Sequence, residues 1–121
     1  MSTPLSNLNP RTYEAAIADV DGASAIAMDR CTAGVQAVAF ATDGTDGLVN
    51  FTIDAQSDAN IACWANAGIA TGGVSVKAEA QSTTVIQVAV ADAAGAAVNL
   101  AATAAKITLG FAPNAQLSKD V

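Results

Sequence analysis

Val49-Asn50-Phe51-Thr52-Ile53-Asp54, Val74-Ser75-Val76-Lys77-Ala78-Glu79-Ala80-Gln81 and Lys106-Ile107-Thr108-Leu109-Gly110-Phe111 alternate apolar with polar or small residues almost without error. Successive side chains leave a pleated strand on opposite sides, so a period of two describes a strand with one dry and one wet face. Working outward, further short segments are separated by turn chemistry. The expected strands are 13–20, 23–28, 35–41, 48–54, 61–67, 74–81, 85–91 and 106–112, with a weak candidate at 98–105. Asp21-Gly22, Asp43-Gly44-Thr45-Asp46-Gly47, Gly72-Gly73, Ser82–Thr84 and Asp92–Gly95 supply the turns. Val35 conflicts in parity with Val38 and Phe40, so the buried face of that strand is undecided by alternation. In 85–91 both parities are apolar, which predicts a strand covered on both sides. The alanine-rich 89–105 competes as a short helix, because alanine is the best helix former. Gly95, Val98, Asn99 and Thr103 weigh against it.

Seven or eight strands at such spacing predict an all-β fold, an antiparallel two-layer sandwich of immunoglobulin-like or jelly-roll type. The 121 residues fit one domain with a core of its own. Residues 1–12 read as an extended N-terminal arm, 13–113 as the sandwich and 114–121 as a C-terminal tail. Pro4 and Pro10 bar the arm from a central strand. Leu5 and Leu8 give it two apolar anchors, making them candidate interface residues.

Charged residues make up 13% of the chain, about half the roughly 25% of an ordinary domain, and alanine about a quarter. The surface must therefore consist largely of Ala, Ser, Thr, Asn and Gln. Such side chains lose little rotamer entropy on being covered, and uncharged surface is cheap to desolvate, which suits a subunit of an assembly. The net charge of −6, with Arg11, Arg30, Lys77, Lys106 and Lys119 scattered, argues against nucleic acid. Apolar runs fall short of the roughly 20 residues that cross a bilayer, so no membrane partner is expected. Residues 1–10 lack a basic and an apolar region, which predicts no signal peptide and synthesis in the cytoplasm. The sequon Asn50-Phe51-Thr52 is then a coincidence.

Reactive chemistry is scarce. There is no His to activate a serine, and Lys77, near Ser75, sits on a face expected to be wet, where its pKa cannot fall. An enzyme is not expected, nor any cofactor. Cys31 and Cys63 have neither a CxxC partner nor a His for a metal site, and read as two small buried hydrophobes rather than a disulfide. Asp43 and Asp46 could offer oxygens to Ca²⁺, and Asp19 and Asp21 could join them if the loops met, but Asp and Gly are also ordinary turn residues. Trp64 lies on the parity opposite Ile61 and Cys63. It is either a core plug beside Ala62 or an outward anchor in an interface.

Val88-Ala-Val90-Ala-Asp92-Ala-Ala-Gly95-Ala-Ala-Val98 resembles the V-x-V-x-D-x-x-G-x-x-V hairpin of bacterial and phage immunoglobulin-like domains. In overall character, small, acidic, rich in Ala, Thr, Gly and Val, with an N-terminal arm, the chain resembles small structural proteins of tailed-phage virions, such as capsid decoration and tail components. That resemblance implies a non-enzymatic cement subunit on a virion, forming a homo-oligomer such as a trimer and binding the major capsid protein. Leu5, Leu8 and Trp64 are the residues expected to carry those contacts. The alternative is an adhesion or carbohydrate-binding module, with Ca²⁺ at Asp43 and Asp46.

Overall fold

The computed structural model describes residues 13–70 and 72–114. The expected arm, with Leu5 and Leu8, and nearly all of the expected tail lie outside the described residues. Eight strands follow one another: β1 (Glu14–Asp21), β2 (Ile26–Cys31), β3 (Val35–Phe40), β4 (Leu48–Ile53), β5 (Ala62–Gly68), β6 (Val74–Ala80), β7 (Val85–Asp92) and β8 (Ala104–Ala112). They form two four-stranded antiparallel sheets, ordered β2-β1-β8-β5 (sheet A) and β3-β4-β7-β6 (sheet B), packed as a sandwich. The edge strands of the two sheets also approach one another, β2 to β3 and β5 to β6. Around the molecule the strands thus run 1-2-3-4-7-6-5-8 and back to 1. The last four take the Greek-key arrangement, with β8 returning beside β5.

The core follows from side-chain size. In sheet A most of the large inward bulk sits on β8, in Ile107, Leu109 and Phe111, all fully buried, with Val20 on β1. Their cross-strand partners are small, Ala18 and Ala16 on β1 and Ala67, Ala65 and Cys63 on β5, except for Glu14 opposite Phe111. The ridge on β8 therefore rises between two low flanks. Sheet B supplies Val49, Phe51 and Ile53 from β4 and Ile86, Val88 and Val90 from β7, all buried. Interdigitating large and small positions is how a core reaches solid-like density without voids.

A β-bulge resolves the conflict at β3. Val35 pairs with Ile53 and Ala37 with Thr52, so Gln36 is the extra residue and the register shifts there. The shift reverses parity, and Val35, Val38 and Phe40 all turn inward. A second shift in β2 skips Asp29 between the pairs Ala18–Met28 and Ile17–Arg30. β2 thereby continues through Asp29-Arg30, where the sequence predicted its end.

The helix considered for 89–105 does not form, nor does the weak strand at 98–105. β7 runs through Asp92, whose Oδ1 accepts from Ala94 N and Ala96 N at 2.9 Å each and closes a tight turn. Val98 N then donates to Val90 O at 3.0 Å, and Leu100 N to Gly44 O at 2.8 Å. Leu100 is fully buried, so this connection is pinned as a plug over one end of the core. A helix would have left Leu100 no such anchor.

Size complementarity makes a measurable claim. Ala18→Leu, opposite Ile107, should lower stability by about 1–3 kcal/mol through overpacking, whereas Ala27→Leu on the exposed face of β2 should stay within about 0.5 kcal/mol. Chemical denaturation of the two variants checks this.

Candidate functional site

The outward residues of sheet A form rows across the strands. Trp64 pairs with Gly110 and Gly110 with Ala15; Asn66 pairs with Thr108, which pairs with Ile17, which pairs with Arg30; Gly68 pairs with Lys106, which pairs with Asp19. The face divides by charge. At the end carrying the 21–25 turn and the 93–103 connection, Lys106 Nζ lies 3.3 Å from Asp19 Oδ1 and 3.4 Å from Asp29 Oδ2. The Asp19 hydrogen bond, reinforced by Asp29, holds the Lys106 ammonium above its ordinary pKa. These groups are well exposed, so the network adds little stability.

The other end is neutral and aromatic. Tyr13 and Trp64 are the exposed large hydrophobic residues among those described, 50% and 47% accessible. Their rings meet edge to face, centroids 5.9 Å apart and planes at 65°, a geometry favoured by aromatic quadrupoles. The indole lies across Gly110: a Cβ built there would collide with Nε1, Cε2 and Cζ2 of Trp64. Gly110 thus seats the indole on the sheet, and Tyr13 stands beside it as a wall. Beyond this corner lies an apolar hollow of about 300 Å³ lined by Ala15, Ile17, Arg30, Cys31, Thr32 and Thr108.

Trp64 therefore points outward, as one of its two alternatives held, and the core plug beside Ala62 is overturned. The physical reason is parity: Cys63, Ala65 and Ala67 take the inward positions of β5 against β8, which leaves Ala62, Trp64 and Asn66 outside. Gly110 was missed by sequence reading, having counted only as an alternating small residue. Its signal was available in its place among the outward positions of β8, with Lys106 and Thr108.

On sheet B, Ser75, Lys77 and Glu79 lie on the wet face as expected. The outward residues of β7, expected to lie beneath a second layer, are only half-buried. Their shielding comes from neighbours in the same sheet, including the hydrogen bond from Gln87 Nε2 to Asn50 Oδ1 at 3.0 Å.

Asp43 and Asp46 are engaged within their own loop. Asp43 Oδ1 accepts from Thr45 Oγ1 at 2.6 Å and Thr45 N at 3.0 Å, while Asp46 accepts from Thr42 Oγ1 at 2.6 Å and Leu48 N at 3.1 Å. The Thr45 hydroxyl, followed by its amide, holds the Asp43 carboxyl below the usual range. Asp21 Oδ1 caps Ala23 N and Ala25 N. Both loops do lie at the same end, against the 93–103 connection, yet no group of three or more potential metal ligands forms among the described residues.

The cysteines are free and far from equivalent. Cys31 is exposed, contrary to the expectation of burial, because it ends β2, an edge strand of its sheet. Its thiol donates to Val35 O at 3.4 Å. Cys63 is half-buried, and burial above all pushes its thiol pKa up, aided by the Glu79 carboxylate. Glu14, 6% exposed, occupies an inward position of β1, and its Oε1 accepts from Gly34 N at 3.3 Å beside a cleft of about 260 Å³.

In comparisons with known proteins, no family model, no curated protein and no solved structure matches this chain.

Seating on Gly110 predicts that Gly110→Ala lifts the indole from the sheet. Fluorescence from this single Trp should shift to the red, and stability should fall by about 1–2 kcal/mol, because the indole can swing outward rather than force the backbone apart.

Proposed function

We propose that this chain is a non-enzymatic structural protein, a decoration or cement subunit that self-associates and binds the major capsid protein on the surface of a virion. The observation that carries the proposal is the aromatic end of sheet A's outer face. There a sheet presents two aromatic side chains with small, uncharged neighbours, while the Lys106–Asp19–Asp29 network lies at the opposite end of that face and Arg30 lines the adjoining hollow. Aromatic anchors amid residues that are cheap to desolvate are what an interface core requires. Trp64, with Leu5 and Leu8 of the arm, is the proposed anchor set. The arm joins the sandwich at Tyr13, itself half of the aromatic corner, so arm and face can engage the same neighbour. An acidic chain gains from such an interface, because neutral contacts avoid the repulsion that charged faces of identical subunits would meet.

One observation favours a second function, a carbohydrate-binding module. An indole with an open face beside a tyrosine is also a platform for a sugar ring, with the Asn66 and Thr108 side chains exposed nearby. The accompanying Ca²⁺ site gains nothing, since the Asp43 and Asp46 carboxylates serve their own loop.

Light scattering on the purified chain, together with proteomics of particles from the source, separates the two. A cement subunit should form a defined oligomer, appear on particles and lose attachment when residues 1–12 are deleted. A strict monomer absent from any particle and retained on a glycan array would contradict the proposal and favour the sugar-binding module.

A further inference from the structure

Granting the assembly function proposed above, we infer that the Trp64–Tyr13 corner and the adjoining hollow form the receptor for the proline-bearing arm, residues 1–12, of a second copy of this chain. The corner has the chemistry for a proline ring. Proline-containing segments dock on aromatic-lined surfaces, where a preset φ lowers the entropy lost on binding. The indole seated on Gly110 offers a face, and Tyr13, at 65° to it, a side wall.

The hollow beside it, lined by Ala15, Ile17, Arg30, Cys31, Thr32 and Thr108, has room for an aliphatic side chain. It lies over β1, about 5 Å from the neighbouring strand β8 that carries Gly110, and shares Ala15 with the row on which the indole rests. The arm carries its apolar residues at matching intervals. Pro4-Leu5 and Leu8-Asn9-Pro10 each place a proline and a leucine within about 7 Å of one another along an extended chain.

Charge fits as well. Residues 1–10 carry no charged side chain, and the corner lies away from the Lys106–Asp19–Asp29 network, with Arg30 beside the hollow as the charged group nearest to it among the lining residues. The twelve residues begin from Tyr13, so each copy emits its arm from beside its own receptor, which is the arrangement for reciprocal exchange. Docking in the same copy would cover the indole at every dilution, whereas exchange with a second copy covers it only on assembly, and the experiment below separates the two.

Trp64 is the chain's single tryptophan, so its fluorescence reports this site alone. The experiment follows emission wavelength and acrylamide quenching against protein concentration for the full-length chain, alongside light scattering. It is repeated for the full-length variant Pro4→Ser, Leu5→Ser, Leu8→Ser, Pro10→Ser, with circular dichroism to check that the sheets persist, and with a synthetic peptide of residues 1–12 as competitor.

The expected result is a blue shift and reduced quenching that rise with assembly. The variant should assemble at least about tenfold more weakly with its indole open. Excess peptide should dissolve the assembly while keeping the indole covered. Three results would overturn the inference and leave the assembly function standing: assembly with Trp64 still open, an indole covered equally at every dilution, or cover that persists in the assembled variant. A chain that stays monomeric at every concentration overturns both. An emission change with neutral oligosaccharides but none on assembly assigns the corner to sugar and likewise overturns the inference.

Discussion

Strand β8 sets the terms for the rest of the molecule. Its inward side chains, Ile107, Leu109 and Phe111, are large and fully buried, and the strands on either side answer with Ala18, Ala16 and Glu14 or with Ala67, Ala65 and Cys63. Sheet B contributes Phe51, Ile86 and Val88 to the same core. The alanine content, odd by composition, is thus in part a packing requirement of the core, since a larger side chain beside β8 would force the sheets apart.

The same strand defines the outer face. Because parity sends Ile107, Leu109 and Phe111 inward, Lys106, Thr108 and Gly110 must face out. Lys106 then gathers Asp19 and Asp29 at one end, and Gly110 seats Trp64 at the other. The separation of charge from aromatic surface is a by-product of one strand's alternation read on its other side. The end that carries charge is also the end closed by the Leu100 plug, while the aromatic end is where the described chain begins and ends.

Much of the sandwich was legible from alternation and turn residues. All eight strand segments lie within a few residues of their expected places, and the opposite parity of Cys63 and Trp64 put them on different faces of β5 without deciding which face was outward. The failures share a cause. The bulge at Gln36 is a backbone event with no composition of its own, visible in advance only as the clash of Val35 with Val38 and Phe40. The exposure of Cys31 depends on β2 lying at an edge, a matter of strand order that local pattern does not encode. In the 93–103 connection, helix propensity lost to hydrogen bonds with Gly44 and Val90, partners distant in sequence. At the site, Trp64 stands out in the sequence as the single tryptophan, but its seat on Gly110 and its neighbour Tyr13 depend on the register of three strands.

The central claim of the proposed assembly function is that the aromatic end of sheet A's outer face is covered in the assembled state. Hydroxyl-radical footprinting of particles against the dissociated chain, read by mass spectrometry, tests that claim most directly. The account predicts strong protection of Tyr13, Trp64 and Ile17 in the assembly, with Val85 and Lys77 on sheet B labelled as in the free chain. Equal labelling of Tyr13 and Trp64 in both states, or protection confined to sheet B, would contradict it.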